Sequence, residues 1–154
     1  MIKPQSTEYL SLRGKTVFVT GGASGIGAEI VKAFAEQGAK VGFVDMDRKG
    51  SEALLAELTG EQIFAECDLR DIDALKVAFS KLAAKLGPAE VLVNNAARDD
   101  RHDWRDVTAE YWDERQNNNL RHMFFAIQAV ADGMIAAGGG SIINMESNSW
   151  WEAG

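Results

Sequence analysis

A glycine-rich run, Thr-Gly-Gly-Ala-Ser-Gly-Ile-Gly, occupies residues 20–27 and follows the apolar residues 17–19. Glycines at this spacing can bind a phosphate group, because a chain without side chains exposes its backbone amides. Gly21 permits a tight exit from a strand, Gly25 lets a pyrophosphate approach the backbone, and Gly27 allows close packing of the next helix on the sheet. The positive dipole end of that helix then faces the phosphate charge.

The flanking residues support a phosphate-binding loop. The Val-Phe-Val run at 17–19 is typical of a buried parallel strand. After the loop, apolar residues recur on one helix face, at positions 26, 30, 31, 34 and 35. A turn from strand to helix is the context that such a loop requires. The alternative is an ordinary glycine turn in an α/β domain.

An acidic residue, Asp45, ends the second apolar run. A carboxylate at this position can accept hydrogen bonds from both ribose hydroxyls of an adenosine, and it repels a 2′-phosphate. The sequence therefore favours NAD over NADP as the ligand. Arg48 lies close enough along the chain to shift that preference. The alternative role for Asp45 is to cap the turn that follows, which is compatible with ligand binding.

Alternating apolar runs and helical patterns predict the elements that position these groups. We expect a doubly wound, Rossmann-like parallel α/β sheet with helices on both faces, in one domain over residues 1–154. Ligands of such a sheet bind beyond the carboxyl ends of the strands. The predicted strands are 15–20, 41–45, 62–67, 91–93 and 141–145, and the predicted helices are 24–37, 48–58, 72–86 and 109–137, with Asp71 and Thr108 as N-caps.

Three successive asparagines, at positions 117–119, lie inside the long predicted helix 109–137. Asparagine is a poor helix former, so we expect an interruption of the helix with freed backbone groups that can hold a water molecule. The alternative is a polar patch on the surface.

Composition excludes several classes of function. The chain has 154 residues and a formal net charge of −7, which argues against nucleic acid or an anionic membrane as the main partner. The single cysteine, Cys67, excludes an intrachain disulfide, and the two histidines lack metal-ligand spacing, so no metal site is expected. The sequence shows no signal peptide and no apolar run of membrane-spanning length, which predicts a cytoplasmic protein.

Three motifs together, T-G-x-x-x-G-I-G at 20–27, N-N-A-A at 94–97 and N-L at 119–120, resemble the short-chain dehydrogenase/reductase family. The resemblance implies an NAD-dependent oxidoreductase that moves a hydride from a secondary alcohol to NAD. It also implies catalytic roles for Asn119 and Ser147. The cofactor site that it implies consists of Gly21, Ser24, Gly25, Ile26, Gly27, Asp45, Asp68, Leu69 and Asn94.

Two positions depart from the family pattern. Ala97 stands where the family usually has glycine, and Glu146 stands beside Ser147 where a small residue is usual. A carboxylate at Glu146 is expected to disturb the charge near the site.

Within the family, the chain is similar to sugar dehydrogenases that act on aldoses. The similarity lies in residues 94–102, 119–122 and 147–150. Under this interpretation the charged segment 99–102, Asp-Asp-Arg-His, binds sugar hydroxyls. Equally, that segment is a solvated loop.

The Tyr-x-x-x-Lys pair on which the family's chemistry rests does not occur in these 154 residues. Neither Tyr9 nor Tyr111 has a lysine four positions later. The resemblance therefore covers only the N-terminal part of the family fold, with the C-terminal part missing. Two hypotheses follow: an NAD-dependent dehydrogenase of a sugar or similar small alcohol, or an inactive fragment that acts as a nucleotide-binding module.

A third expectation concerns assembly. Without the later part of the fold, the fifth strand is expected to be an exposed edge. The long helix 109–137 is expected to expose an apolar face and to form a homo-oligomer through it. The residues of that predicted face are Met123, Phe124, Ile127, Val130, Met134 and Ile135.

Overall fold

A computed structural model describes residues 7–147 of the protein. Five parallel strands form one sheet in the order β3-β2-β1-β4-β5, which confirms the doubly wound, Rossmann-like prediction. The strands are β1 (Thr16–Thr20), β2 (Lys40–Asp45), β3 (Gln62–Glu66), β4 (Val91–Asn94) and β5 (Ser141–Asn144). The helices are α1 (Gly25–Glu36), α2 (Arg48–Glu57), α3 (Ile72–Leu86), α4 (Ala109–Gln116) and α5 (His122–Ala136).

Apolar side chains on the two faces of the sheet form two cores. On one face, Phe18 and Leu92 pack with Leu75 and Phe79 of α3. On the other face, Val19 and Phe43 belong to a cluster that includes residues of α1 and α2. β1 lies between β2 and β4 and is buried along its whole length, which explains its uninterrupted Val-Phe-Val run. The central strands of the sheet are therefore packed on both faces.

Register brings the polar ends of the strands to one edge. Thr20 of β1 is the register partner of Asn94 in β4, and Asn94 is the partner of Asn144 in β5. On the other side of the sheet, Asp45 of β2 is the partner of Glu66 in β3. The polar residues predicted to follow the strands therefore lie at a common carboxyl edge, as expected for a parallel sheet.

The predicted helix caps are present. The side chain of Asp71 accepts hydrogen bonds from the amides of Asp73 and Ala74, each at 3.0 Å, at the start of α3. Thr108 accepts one from the amide of Tyr111 at 3.2 Å at the start of α4. These bonds satisfy amides that have no partner inside the helix, and they fix where each helix begins.

The helix predicted over 109–137 is divided. α4 and α5 are joined by a π-helical turn, Asn117–Arg121. The predicted interruption is thus a wider helical turn, in which the backbone groups do not form the regular hydrogen bonds of an α-helix. Among residues 7–147, no helix is long and apolar enough to cross a membrane.

The apolar face predicted for this helix is partly wrong. Val130 and Met134 are buried in the core beside α3, because the apolar residues of α5 occur on more than one side. Phe124 and Ile135 do lie on the surface, with 64% and 74% of their area exposed. β5 is an edge strand, as predicted, and each of its four residues is exposed.

Candidate functional site

An open cleft of about 470 Å³ lies at the carboxyl edge of the sheet. The glycine loop and the first turn of α1 form one wall, and the ends of the neighbouring strands form the others. Its lining residues are Gly21, Ser24, Ile26, Gly27, Asp45, Met46, Cys67, Asp68, Leu69, Asn95, Ala96, Ala97, Arg98 and Asn118. The cleft therefore brings together seven of the nine predicted cofactor residues; Gly25 and Asn94 do not line it.

The glycine loop depends on one close approach, at Gly27, and on one left-handed backbone conformation, at Gly25. A Cβ atom on Gly27 would lie 1.8 Å from the carbonyl oxygen of Gly21, so no larger residue fits there. Gly25 has a φ of 53°, a backbone conformation that favours glycine, and an added Cβ there would meet no atom within 4 Å. Gly27 thus packs the helix against the loop itself, whereas Gly25 leaves open space at the helix start.

The N-terminus of α1 is not capped by its own N-cap residue. The side chain of Ser24 makes no capping hydrogen bond, and the first turn of α1 carries no acidic residue. Since the first amides of a helix need acceptors, this end can accept an anion from outside the protein. Gly25, Ser24 and the helix dipole form a cradle suited to a phosphate group.

A brace between β1 and β4 supports this cradle. The buried hydroxyl of Thr20 accepts hydrogen bonds from the amides of Asn95 and Ala96, at 3.0 and 3.1 Å. The side-chain amide of Asn95 donates to the carbonyls of Thr20 and Gly21, each at 3.1 Å. Thr20 and Asn95 thus fix the glycine loop to the next strand. Of the two asparagines in the N-N-A-A motif, only Asn94 was predicted as a cofactor residue, and the side chain that contacts the glycine loop is that of Asn95.

Asn94 lies behind the cleft and not on its wall. Its side chain is fully buried and donates a hydrogen bond to Oδ1 of Asn144 at 2.9 Å. Its own Oδ1 has no hydrogen-bond partner in the described part of the chain. The residue therefore joins β4 to β5, and Asn95, Ala96 and Ala97 contribute the surface that faces the cleft.

Asp45 links the end of β2 to the glycine loop. Its Oδ2 accepts a hydrogen bond from the amide of Ala23, and its Oδ1 accepts one from the amide of Asp47, each at 2.9 Å. The turn-capping role considered from the sequence is therefore present. Each carboxylate oxygen has a further lone pair, so Asp45 also retains the capacity to accept hydrogen bonds from a ligand in the cleft.

The wall at the end of β3 combines a charged pair with a buried thiol. Asp68 binds the guanidinium of Arg70, with Nε–Oδ1 and Nη2–Oδ2 distances of 2.9 and 2.6 Å, and this contact lowers the pKa of Asp68. Burial raises the pKa of Cys67 to about 11, with the nearby carboxylates adding to the effect. Cys67 is accordingly a buried neutral thiol and not a nucleophile.

The side chain of Asn119 is hydrogen-bonded to the loop after β4. Its Oδ1 accepts a hydrogen bond from the amide of Arg98 at 2.8 Å, and its Nδ2 donates to the carbonyl of Arg98 at 3.0 Å. Asn118 donates to Asn119 at 3.0 Å and itself lines the cleft. The asparagines of the π turn therefore hold the backbone of the cleft wall, and the surface-patch alternative is wrong for Asn118 and Asn119.

Replacing Asn119 with alanine is expected to loosen this wall. The amide and carbonyl of Arg98 lose both partners, which lowers the free energy of unfolding by about 1–2 kcal/mol. Asn117→Ala is the matched control, because within residues 7–147 the side chain of Asn117 accepts only a long hydrogen bond, 3.4 Å, from Arg121. Urea denaturation compares the two variants. Equal losses of stability in Asn119→Ala and Asn117→Ala would contradict the role of Asn119 in holding the Arg98 backbone.

Ser147 and its neighbour Glu146 follow β5 and are both exposed. Neither residue lines the cleft. The catalytic role expected for Ser147, and the effect expected of Glu146, stay predictions. The residues 148–150 of the sugar-dehydrogenase motif lie outside the described residues.

The charged segment 99–102 runs along the protein surface next to α4. Asp100 receives hydrogen bonds and charge from Arg115 and Arg98, with N–O distances of 2.9 and 2.7 Å, which lower its pKa. His102 contacts the hydroxyl of Tyr111 at 2.9 Å. Of these residues only Arg98 lines the cleft, so Asp100 and His102 primarily connect the loop to α4.

His122 occupies the first position of α5 and is fully buried. Neither ring nitrogen makes a well-formed hydrogen bond among the residues that the structure describes, and a weak interaction with the backbone of Asn118 is outweighed by burial. Burial holds the pKa of His122 below its ordinary value of 6.5. The residue is therefore a neutral, structural histidine at neutral pH.

The free energy of unfolding is expected to decrease as the pH is lowered, because His122 is buried in its neutral form. Below about pH 6.5 the unfolded chain takes up a proton at this residue more readily than the folded chain, so acid favours unfolding. For a single proton the slope of the free energy of unfolding against pH is at most about 1.4 kcal/mol per pH unit. Thermal or urea unfolding of His122→Leu should show a smaller slope than the parent protein, whereas His102→Gln, at the exposed histidine, should keep the parent slope. Identical slopes for His122→Leu and the parent protein would contradict this assignment.

Comparison with known proteins identifies the family. The model of the family described as "short chain dehydrogenase" matches residues 15–150, which includes the glycine loop, the asparagine brace and the π turn. The chain belongs to the short-chain dehydrogenase family. No group of three or more His, Cys, Asp or Glu side chains among residues 7–147 is arranged to hold a metal ion.

Several curated relatives are sugar or polyol dehydrogenases by name. The chain is 53% identical over 148 residues to a D-xylose 1-dehydrogenase of Caulobacter vibrioides, a match that covers 94% of the chain and 58% of the relative. It is 51% identical to a probable galactose dehydrogenase of Rhizobium meliloti, in a match that covers 92% of the chain and 57% of that relative. It is 39% identical to a D-threitol dehydrogenase of Mycolicibacterium smegmatis, in a match that covers 90% of the chain and 54% of that relative. The chain thus spans little more than half the length of these relatives.

Proposed function

We propose that the chain forms the cofactor-binding part of an NAD-dependent dehydrogenase that oxidises a sugar or a similar small polyol. The observation that carries the proposal is the cradle at the start of α1, where Ser24 leaves the helix amides uncapped beside Gly25. The carboxylate of Asp45 lines the same cleft. A dinucleotide carries both groups that such a site recognises, a pyrophosphate and a ribose diol.

The residues present fit a nicotinamide dinucleotide. Gly21, Ser24, Gly25, Ile26 and Gly27 would surround the pyrophosphate. Asp45 would accept hydrogen bonds from the ribose, and Asp68 and Leu69 would flank the adenine, with Asn94 bracing the strand behind. When bound, the cofactor supplies a ring that accepts a hydride.

Asn119 and Ser147 are proposed to act on the substrate side. Asn119 holds the Arg98 backbone through its side chain, so its part is to position the wall of the site, with the π turn offering backbone groups to a water molecule. Ser147 would polarise the reacting hydroxyl. The family's proton-transferring tyrosine and its lysine have no counterpart in these 154 residues.

The substrate class rests on the names of the relatives and on the polar loop. Xylose, galactose and threitol share adjacent hydroxyl groups, which need several donors and acceptors. Arg98 lines the cleft beside the charged segment 99–102, and this segment is proposed to contact such hydroxyls. A panel of aldoses and polyols against simple secondary alcohols tests this choice by the binding that each shows in the presence of NADH.

The ratio of the affinities for NADH and NADPH directly tests the role proposed for Asp45. Asp45→Asn keeps the shape and one acceptor oxygen but removes the charge that repels a 2′-phosphate. The preference for NADH over NADPH is expected to fall by about tenfold. The control, Asp73→Asn, changes an exposed carboxylate on α3, away from the cleft, and should leave the preference unchanged. Fluorescence titration with both dinucleotides measures it, and an unchanged ratio in Asp45→Asn would contradict the proposal.

The second candidate function is a nucleotide-binding module without turnover. It concerns these 154 residues alone, in which no tyrosine is followed four positions later by a lysine. Saturable NAD binding by the 154-residue protein, with no NADH formed from any aldose, is the result expected of such a module. NADH formation would exclude it.

Association of copies is proposed to involve the α4–α5 region. Exposed Phe124 and Ile135, and the exposed edge strand β5, offer apolar surface for a second copy. A cytoplasmic location is proposed on the composition of the sequence. Sedimentation at micromolar concentration tests the first of these two proposals.

A further inference from the structure

A second carboxylate stands beside Asp45 at the carboxyl edge of the sheet. Glu66 is the register partner of Asp45 on the neighbouring parallel strand, so their backbones lie about 5 Å apart and their side chains leave the same face. This face is the one that carries α1 and α2. Both residues end their strands. The region where a ribose 2′ substituent would approach Asp45 therefore has two negative side chains nearby.

Arg48 is the nearby cation that could offset them, and it is already engaged. Its guanidinium forms an ion pair with Glu66 and a second contact to Glu52 at 3.7 Å. Arg48 is the first residue of α2, three positions after Asp45. With Glu66 it lines a separate groove that runs along the edge strand β3, where both faces of the sheet are reached, and it does not line the cleft that contains Asp45. The ion pair with Glu66 thus holds the guanidinium of Arg48 in this groove and away from the cleft.

We infer that Glu66 is a specificity-determining residue for the cofactor, because it binds Arg48 and withholds that cation from a 2′-phosphate. This inference rests on the proposed function, since it concerns the choice between two nicotinamide dinucleotides. Asp45 repels the 2′-phosphate directly. Glu66 acts through Arg48, and its pairing removes the attraction that an arginine at this position would otherwise supply.

The expected effect is moderate, because the pair is on the surface. Arg48 and Glu66 have exposed side-chain fractions of 62% and 45%, so solvent screens their interaction. Neutralising Glu66 removes a like charge and frees Arg48 to approach a dianionic phosphate. From Coulomb's law in a water-like medium, we expect Glu66→Gln to tighten NADPH binding by about five- to tenfold, with NADH affinity changed by less than about twofold.

A double-mutant cycle separates the effect of freeing Arg48 from the effect of removing the negative charge of Glu66. NADPH and NADH are titrated into the parent protein, Glu66→Gln, Arg48→Met and the double variant, with binding followed by fluorescence at low ionic strength. The gain in NADPH affinity should appear in Glu66→Gln and vanish when Arg48 is also replaced. Glu61→Gln is the matched control. It neutralises a carboxylate that pairs with Lys40 at the other end of β2, and it should give no gain.

Each outcome decides one question. A gain in Glu66→Gln that depends on Arg48 supports the inference. No gain beyond that of Glu61→Gln overturns it, and so does a gain that persists fully in the double variant, because the effect is then charge alone. If the parent protein binds neither dinucleotide while folded, the proposed function itself fails. Circular dichroism of each variant verifies that it is folded.

Discussion

Gly27→Ala is expected to abolish tight dinucleotide binding and to destabilise the fold. The added Cβ would lie 1.8 Å from the carbonyl oxygen of Gly21 and 2.6 Å from Nδ2 of Asn95, so loop, helix and brace cannot all keep their positions. Overpacking of this kind costs about 3 kcal/mol or more. The displaced loop also loses amide contacts to the pyrophosphate, which lowers NADH affinity by about a hundredfold.

Gly14→Ala is the control for backbone strain. Gly14 has a φ of 76° and no atom within 4 Å of an added Cβ, and it precedes β1 at the edge opposite the cleft. It should cost about 1 kcal/mol and leave NADH affinity unchanged. Urea denaturation and NADH titration are made on both variants. A folded Gly27→Ala protein that binds NADH within twofold of the parent would show that the loop geometry is not needed.

Thr20→Val is expected to produce the second largest effect. The substitution keeps the shape of the side chain but removes the hydroxyl that accepts hydrogen bonds from the amides of Asn95 and Ala96. Two half-buried amides then lose their partner, which lowers the free energy of unfolding by about 1–3 kcal/mol. The exit of β4 is released from the glycine loop, and NADH affinity should fall by about tenfold as well.

The same substitution at the other end of β1 isolates the brace. Thr16 is also buried, and its hydroxyl donates a single hydrogen bond to the carbonyl of Leu86 at 3.0 Å. Thr16→Val should cost about 1 kcal/mol and should not affect dinucleotide binding. If Thr20→Val and Thr16→Val weaken NADH binding equally, the brace has no special part in shaping the cleft.

The strand-and-helix pattern was readable from the sequence because local and global signals agree. Uninterrupted apolar runs mark strands buried on both faces, and Asp71 and Thr108 cap helices where their side chains predict it. Predicted boundaries agree with the observed ones within a few residues. The glycine loop was readable for the same reason, since its spacing, strand and helix are all local features.

The parts that escaped prediction depend on contacts between distant segments. Whether Asn94 or Asn95 faces the cleft is decided by register against Thr20 and Asn144, which no local pattern contains. The burial of Val130 likewise depends on how α5 rotates against α3. For Asn119, the motif indicated a functional position, but the partner of its side chain, the Arg98 backbone, lies 21 residues away.

Calorimetric titration of the folded protein with NAD, and with NADP in parallel, measures whether the cleft binds a nicotinamide dinucleotide. We predict one saturable site for NAD, weaker binding of NADP, and loss of that site in Gly27→Ala. Absence of saturable NAD binding at millimolar concentration, by protein whose circular dichroism shows it to be folded, would contradict the proposed function.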